Sequence, residues 1–144
     1  MSRHRPTHVV LDTDATSWLL DQRPTPQGEQ VRRAVAGRSK VVSFVTVAEL
    51  RFGAQVAGWG ELRRRRLERS LADLDVIETD QTLATVYADL RTRLHQAGHG
   101  LAQKAHEADR WVAATAVALD LELVSGDGIF ANVPGLDLVA ISLR

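Results

Sequence analysis

Four acidic residues stand where an α/β protein brings side chains to its reactive edge. Asp12 ends the first apolar run, THVVLD, and Glu49 lies in TVAELRFGA, after the second predicted strand. Asp109 begins the predicted helix of ADRWVAATAVALDLELVSGD, and Asp127 follows the strand in the same segment. Since the carboxyl ends of parallel strands share one edge of a sheet, we expect Asp12, Glu49 and Asp127 to converge there. Asp109 joins them only if its helix begins near that edge.

Carboxylates that converge repel one another, and without a counter-charge some of them would hold protons. Mg²⁺ or Mn²⁺ prefers oxygen ligands, keeps several waters and is usually held by few carboxylates together with a substrate phosphate. Such an ion lowers the pKa of bound water and neutralises charge on a phosphodiester in the transition state. The acids therefore indicate metal-dependent phosphodiester hydrolysis. Asp12 and Asp109 would be the principal ligands, and Asp127 and Glu49 would complete the site directly or through water.

Each acid also has a purely structural explanation. Thr46 and Glu49 fit a capping box, and Asp14 fits a helix N-cap as well as a ligand. Asp127 begins an ordinary Asp-Gly turn, and the helix dipole alone favours Asp109 in a first turn. If these roles were the whole explanation, the chain would be a non-catalytic domain that binds nucleic acid or protein.

The elements that would position these acids alternate along the chain. Strands are predicted at 7–12, 40–45, 75–78, 121–125 and 136–141, and helices at 15–20, 28–37, 46–59, 61–74, 80–96 and 105–120. This alternation predicts an α/β fold, with a mostly parallel sheet and helices on both faces. No linker or repeat interrupts it, so we expect a single domain over residues 1–144.

Composition excludes several classes of protein. The 144 residues include no cysteine, so disulfides, thiol catalysis and Cys-ligated zinc are excluded. No apolar run has the length of a membrane span or the pattern of a signal peptide. We therefore expect a cytoplasmic protein.

With its motifs taken together, the chain resembles a PIN-domain ribonuclease of the VapC toxin type. The opening VLDTDATSWLL resembles the family's first catalytic acid and short helix, TVAELRFGA its catalytic glutamate segment, and ADRWVAATAVALDLELVSGD its most specific segment. Asp12, Glu49, Asp109 and Asp127 match the family's four acids. Asp14 stands where many members have Asn, and Ser125 where Thr is common.

The resemblance implies an α/β/α sandwich and Mg²⁺- or Mn²⁺-dependent endoribonuclease activity. It also implies a homodimer and inhibition by a small VapB-like antitoxin bound near the active site. A PIN-type nuclease that processes RNA or cuts DNA is the alternative within the same fold.

Arginines supply the candidate contacts to a nucleic acid. Arg51 and Arg110 lie close in sequence to proposed metal ligands and are candidates for binding the substrate. The cluster Arg63 to Arg66 fits a solvated helix face as well as RNA or antitoxin contact.

Overall fold

The computed structural model describes residues 7–142, which form one five-stranded sheet with helices on both of its faces. The strands are β1 (His8–Leu11), β2 (Ser39–Ser43), β3 (Asp75–Ile77), β4 (Leu123–Ser125) and β5 (Leu138–Ala140). The helices are α1 (Thr13–Leu20), α2 (Pro26–Val35), α3 (Phe44–Val56), α4 (Glu61–Ala72), α5 (Gln81–Gln96) and α6 (Glu107–Leu119). Short 3₁₀ turns lie at Gly100–Ala102, Lys104–His106 and Gly128–Phe130.

The strand order is β3-β2-β1-β4-β5, and every pairing within the described part of the chain is parallel. In the centre of the sheet, Val10 pairs with Val41 of β2 and with Leu123 of β4. The predicted mostly parallel sheet is thereby confirmed. In such an order the chain turns to opposite sides after β1 and β4, which opens a crevice at their carboxyl ends.

Alternation along the strands divides the core into two layers. Val10 packs with apolar residues of α5 and α6 on one face, such as Leu94 and Val112. Val9 and Leu11 pack on the other face against α1, α2, α3 and α4. On this second face the predicted stripe of α4, Leu67 and Leu71 with Leu74 beyond the helix, is buried. The result is the three-layer α/β/α sandwich that the resemblance implied.

Local hydrogen bonds explain why two helices, α1 and α3, begin before the predicted residues. Helix α3 begins at Phe44 because the Ser43 hydroxyl accepts from the Val45 amide at 3.2 Å. Thr46 is therefore inside the helix, and the predicted capping box with Glu49 is wrong. Helix α1 begins at Thr13 with Asp12, not Asp14, as its N-cap.

The end of α3 lies three residues before the predicted one, and the other element boundaries lie within two residues of their predicted positions. Asp80 caps α5, as predicted, by accepting from the Leu83 amide at 2.7 Å. No helix in residues 7–142 has the length and apolar character needed to cross a membrane.

Candidate active site

Asp12 lies at the centre of the site because it follows the middle strand. Its residue exposure is 5 %. One carboxylate oxygen, Oδ1, accepts from the Ala15 amide at 2.8 Å, and the other accepts from the Ser125 hydroxyl. Its own amide donates to the Val124 carbonyl at 3.3 Å. A single carboxylate thus joins β1, the start of α1 and the end of β4, on the crevice side of the sheet.

Burial raises the pKa of Asp12 to about 6 from its ordinary value of 3.8. The hydrogen bonds from Ser125 and Ala15 favour the carboxylate and oppose that rise, but they do not cancel it. The negative charges of Asp14 and Asp109 raise the pKa further, which places both carboxylates within electrostatic reach of Asp12. The site is therefore short of positive charge.

Asp109 reaches this edge because of the direction of α6. A helix that leads into a parallel strand runs opposite to the sheet, so its N-terminus lies at the carboxyl ends of the strands. Asp109 is in the first turn of α6. Its Oδ2 lies 3.1 Å from Nδ1 of His106, and both side chains are about one-third exposed. The start of α6 therefore lies near the edge of the sheet that carries Asp12, which is the condition on which the sequence-based expectation for Asp109 depended.

Asp127 and Ser125 form the rim at the end of β4. The Asp127 amide donates to the Ser125 hydroxyl at 3.0 Å, and the same hydroxyl donates to Asp12. The Asp127 carboxylate accepts from the Ile129 amide at 2.9 Å and thereby caps the following 3₁₀ turn. Asp127 is exposed. Sequence reasoning treated Ser125 only as a departure from Thr. Its hydroxyl is a link between two of the acids.

Glu49 is held by a threonine pair that links α1 to α3. Its Oε1 accepts from the Thr13 hydroxyl at 2.6 Å, and Thr13 Oγ1 lies 3.1 Å from Oγ1 of the fully buried Thr46. Thr13 directly follows Asp12, so one short segment carries an acid and the anchor of another. Sequence reasoning missed this role of Thr13, although its position beside Asp12 was a signal.

The donor set fits a hard divalent ion with two direct carboxylates. Within residues 7–142 no three His, Cys, Asp or Glu side chains come together closely enough to hold one ion. Mg²⁺ needs no such cage, since it usually keeps several waters and takes one or two carboxylates plus substrate phosphate oxygens. Asp12 and Asp109 would supply that pair if an ion binds here, since a cation would relieve the repulsion that raises the pKa of Asp12.

Arg110 is not available to grip a substrate, which corrects the sequence-based expectation. Its residue exposure is 1 %, and its Nε donates to the Tyr87 hydroxyl at 3.0 Å. Its Nη1 donates to the carbonyls of Leu101 and Gln103, at 3.0 and 2.6 Å. The side chain points inward because successive positions on a helix face different directions, and it clamps the loop that precedes α6.

Arg51 is exposed and forms a two-armed ion pair with Glu68 of α4, at 2.7 and 3.2 Å. A substrate phosphate would have to replace Glu68 at this guanidinium. Its proposed role in substrate binding therefore stays a prediction.

The arginines of α4 line two surface grooves. Arg63 lies over the ring of Trp59, with 3.8 Å from its guanidinium carbon to the ring centroid. Together with Arg66 these residues line a groove of about 440 Å³. Arg64, Arg65 and Arg69 line the other groove, of about 580 Å³, with Arg51. All four side chains of the Arg63–Arg66 cluster are exposed, and they border these two concave surfaces.

Comparisons with known proteins agree on one family. The model of the PIN domain matches residues 9–136. Ribonuclease VapC5 of Mycobacterium tuberculosis is 31 % identical over 138 residues, which cover 94 % of this chain and 95 % of the relative.

Two solved structures share the fold. The structure of VapBC2 from Rickettsia felis, bound to a DNA fragment from their promoter, superposes with a TM-score of 0.77 at 22 % identity and covers 94 % of this chain and 99 % of its own. VapBC-5 of Mycobacterium tuberculosis, a member of the VapBC family of toxin-antitoxin systems, superposes with a TM-score of 0.68 at 25 % identity, over 94 % of this chain and 100 % of its own.

Proposed function

Because this chain belongs to the PIN-domain family, as a relative of the VapC ribonucleases, we propose that it is a metal-dependent endoribonuclease and the toxin of a toxin–antitoxin pair. The observation that carries the proposal is the environment of Asp12. This carboxylate is buried at the crevice of a parallel sheet, and the charges of Asp14 and Asp109 raise its pKa, so its negative charge costs free energy in the metal-free protein. Capping of α1 alone would be served as well by the uncharged side chain of asparagine.

Four side chains would carry the chemistry, each from its own element. Asp12 and Asp109 would hold the Mg²⁺ or Mn²⁺ ion, which when bound would lower the pKa of a water molecule and offset charge on the phosphodiester. Asp127 and Glu49 would complete the site and orient the attacking water. Glu49 is suited to this because the Thr13 hydroxyl fixes one of its oxygens and leaves the carboxylate exposed.

The partners follow from the same family membership. VapC5 is named a ribonuclease, and the VapBC-5 structure is described as a toxin-antitoxin system. We propose RNA as the substrate, a VapB-like antitoxin as the inhibitor, a homodimer as the assembly and the cytoplasm as the place of action. The arginine-lined grooves of α4 are candidate contacts for the RNA or the antitoxin.

The direct test is cleavage of total cellular RNA by the purified protein in Mn²⁺, with cleavage sites mapped for the wild type and for Asp12→Asn. The wild type should cut at defined sites and Asp12→Asn should not. Asp89→Asn is the matched control, because Asp89 is an exposed acid of α5 whose loss should leave cleavage unchanged. Full-rate cleavage by Asp12→Asn would contradict the proposal.

Two further outcomes separate the alternatives. Growth arrest on expression, relieved by co-expression of a small DNA-binding protein encoded beside this gene, favours the toxin over an RNA-processing or DNA-cutting nuclease. Absence of cleavage together with no thermal stabilisation by millimolar Mn²⁺ would favour a non-catalytic domain.

A further inference from the structure

His106 lies beside one of the proposed metal ligands in an unusual position. It is the N-cap residue of α6, and its side chain makes no capping hydrogen bond to the helix. Ser, Thr, Asp and Asn are the residues preferred at this place, because their side chains accept from the first free amides. Instead, Nδ1 of His106 lies 3.1 Å from Oδ2 of Asp109. The local rule for helix starts is broken where a contact to an acid is made, as is common at functional sites.

The loop that carries His106 is fixed from the protein interior. The Gln103 carbonyl accepts from the His106 amide at 3.0 Å and from Arg110 Nη1 at 2.6 Å. Since Arg110 is almost wholly buried and also binds the Leu101 carbonyl, the turn before α6 is held from behind. His99 holds the same turn from its other end, because its Nδ1 accepts from the Leu101 amide at 3.0 Å. The main chain that carries the His106 imidazole is therefore held in place by hydrogen bonds from the protein interior.

The contact with His106 gives the two carboxylate oxygens of Asp109 different environments. In the described part of the chain, Oδ2 has the His106 partner and Oδ1 has no hydrogen bond. A carboxylate held by one oxygen loses rotational freedom about its last bond, so the other oxygen meets an ion at a smaller entropic cost. Hydrogen-bond partners behind metal ligands act in this way and orient the ligand.

We propose that His106 is a positioning residue, which donates from Nδ1 to Oδ2 of Asp109 and thereby presents Oδ1 to the divalent ion. The inference rests on the proposed function, since it assigns a supporting residue to that metal site. It adds that the affinity for the ion depends on a side chain that touches neither the ion nor the RNA.

The test compares Mn²⁺ binding, measured by isothermal titration calorimetry, in His106→Ala, His106→Asn and the wild type. His106→Ala should weaken Mn²⁺ binding by about 10–100-fold, the usual effect of losing such a supporting partner. His106→Asn should restore most of the affinity, because the asparagine amide places a donor where Nδ1 stood. His95→Ala is the matched control, since His95 is an exposed residue of α5, and it should bind Mn²⁺ as the wild type does.

Cleavage of RNA supplies the second measurement. At saturating Mn²⁺, His106→Ala should regain cleavage close to the wild-type rate, since only the affinity for the ion is changed. Unchanged Mn²⁺ affinity with a lower melting temperature would overturn the inference and make His106 a structural residue. Unchanged affinity with cleavage lost in both variants would overturn it in favour of direct proton transfer. If the wild type neither binds Mn²⁺ nor cuts RNA, the proposed function itself is wrong. If the wild type binds Mn²⁺ and His106→Ala binds it with the same affinity, only the inference about His106 is wrong.

Discussion

Replacing Asp12 by asparagine should make the metal-free protein more stable at neutral pH. The pKa of Asp12 is raised from 3.8 to about 6, so the folded state holds this proton more tightly than the unfolded chain does. Its contribution to the free energy of unfolding is complete below pH 3.8 and is lost as the pH rises through about 6. A rise of roughly two pKa units corresponds to about 3 kcal/mol of lost stability at pH 7.5.

Asparagine removes that charge but does not replace every hydrogen bond. Its carbonyl can still accept from the Ala15 amide, whereas its NH₂ group cannot accept from the Ser125 hydroxyl. The lost bond offsets about 1–2 kcal/mol of the gain. We therefore expect Asp12→Asn to raise the free energy of unfolding by about 1–2 kcal/mol at pH 7.5 in EDTA, while RNA cleavage is abolished.

Urea unfolding from pH 4 to 8 measures this effect, with Asp89→Asn as a control that should stay close to the wild type. The difference between Asp12→Asn and the wild type should grow between pH 4 and 7 and then level off. Added Mn²⁺ should reverse the order, because it stabilises only the protein that binds it. A pH-independent difference, or a variant that is less stable at pH 7.5 in EDTA, would refute the reasoning.

Three other substitutions probe the supports of the site. Arg110→Met should lower the free energy of unfolding by about 2–4 kcal/mol in urea, because it leaves buried hydrogen-bonding groups without their partner; a loss below 1 kcal/mol would contradict the clamp. Ser125→Ala should raise the pKa of Asp12, as followed by NMR titration, because the hydroxyl donates to the charged form; an unchanged pKa would count against this contact. Thr13→Val should reduce cleavage at saturating Mn²⁺ by more than Thr13→Ser does, because serine keeps the hydroxyl that holds Glu49; equal rates for the two variants would exclude this role.

The sequence was sufficient for the architecture because its periodicity is strong. Strands and helices alternate with clear breaks, so the parallel sheet, the two covering layers and the acids after β1 and β4 could all be predicted. Asp12 could be predicted as a site residue for the same reason, since an acid that directly follows a buried strand can be recognised in the sequence. The position of Asp109 depended on the direction of α6, which follows only once the sheet is known to be parallel.

Contacts between elements that are distant in the chain could not be predicted from the sequence. Arg110 was expected to face the substrate, and only the packing of α5 and α6 shows that it turns inward to Tyr87. The hydroxyl of Ser125, 113 residues from Asp12, binds that carboxylate through strand adjacency that no local pattern encodes. The capping box at Thr46 failed because Ser43 competed for the same helix start and the Thr46 hydroxyl meets Thr13.

The lateral edges of the sheet limit how a second polypeptide can attach. The outermost strands, β3 and β5, have three residues each, so neither offers a long row of unpaired main-chain groups as a template. An added strand would gain few ladder bonds at either side. Recognition of another chain is therefore left to side chains on the helical layers, where single substitutions can change the choice of binding protein without disturbing the sheet.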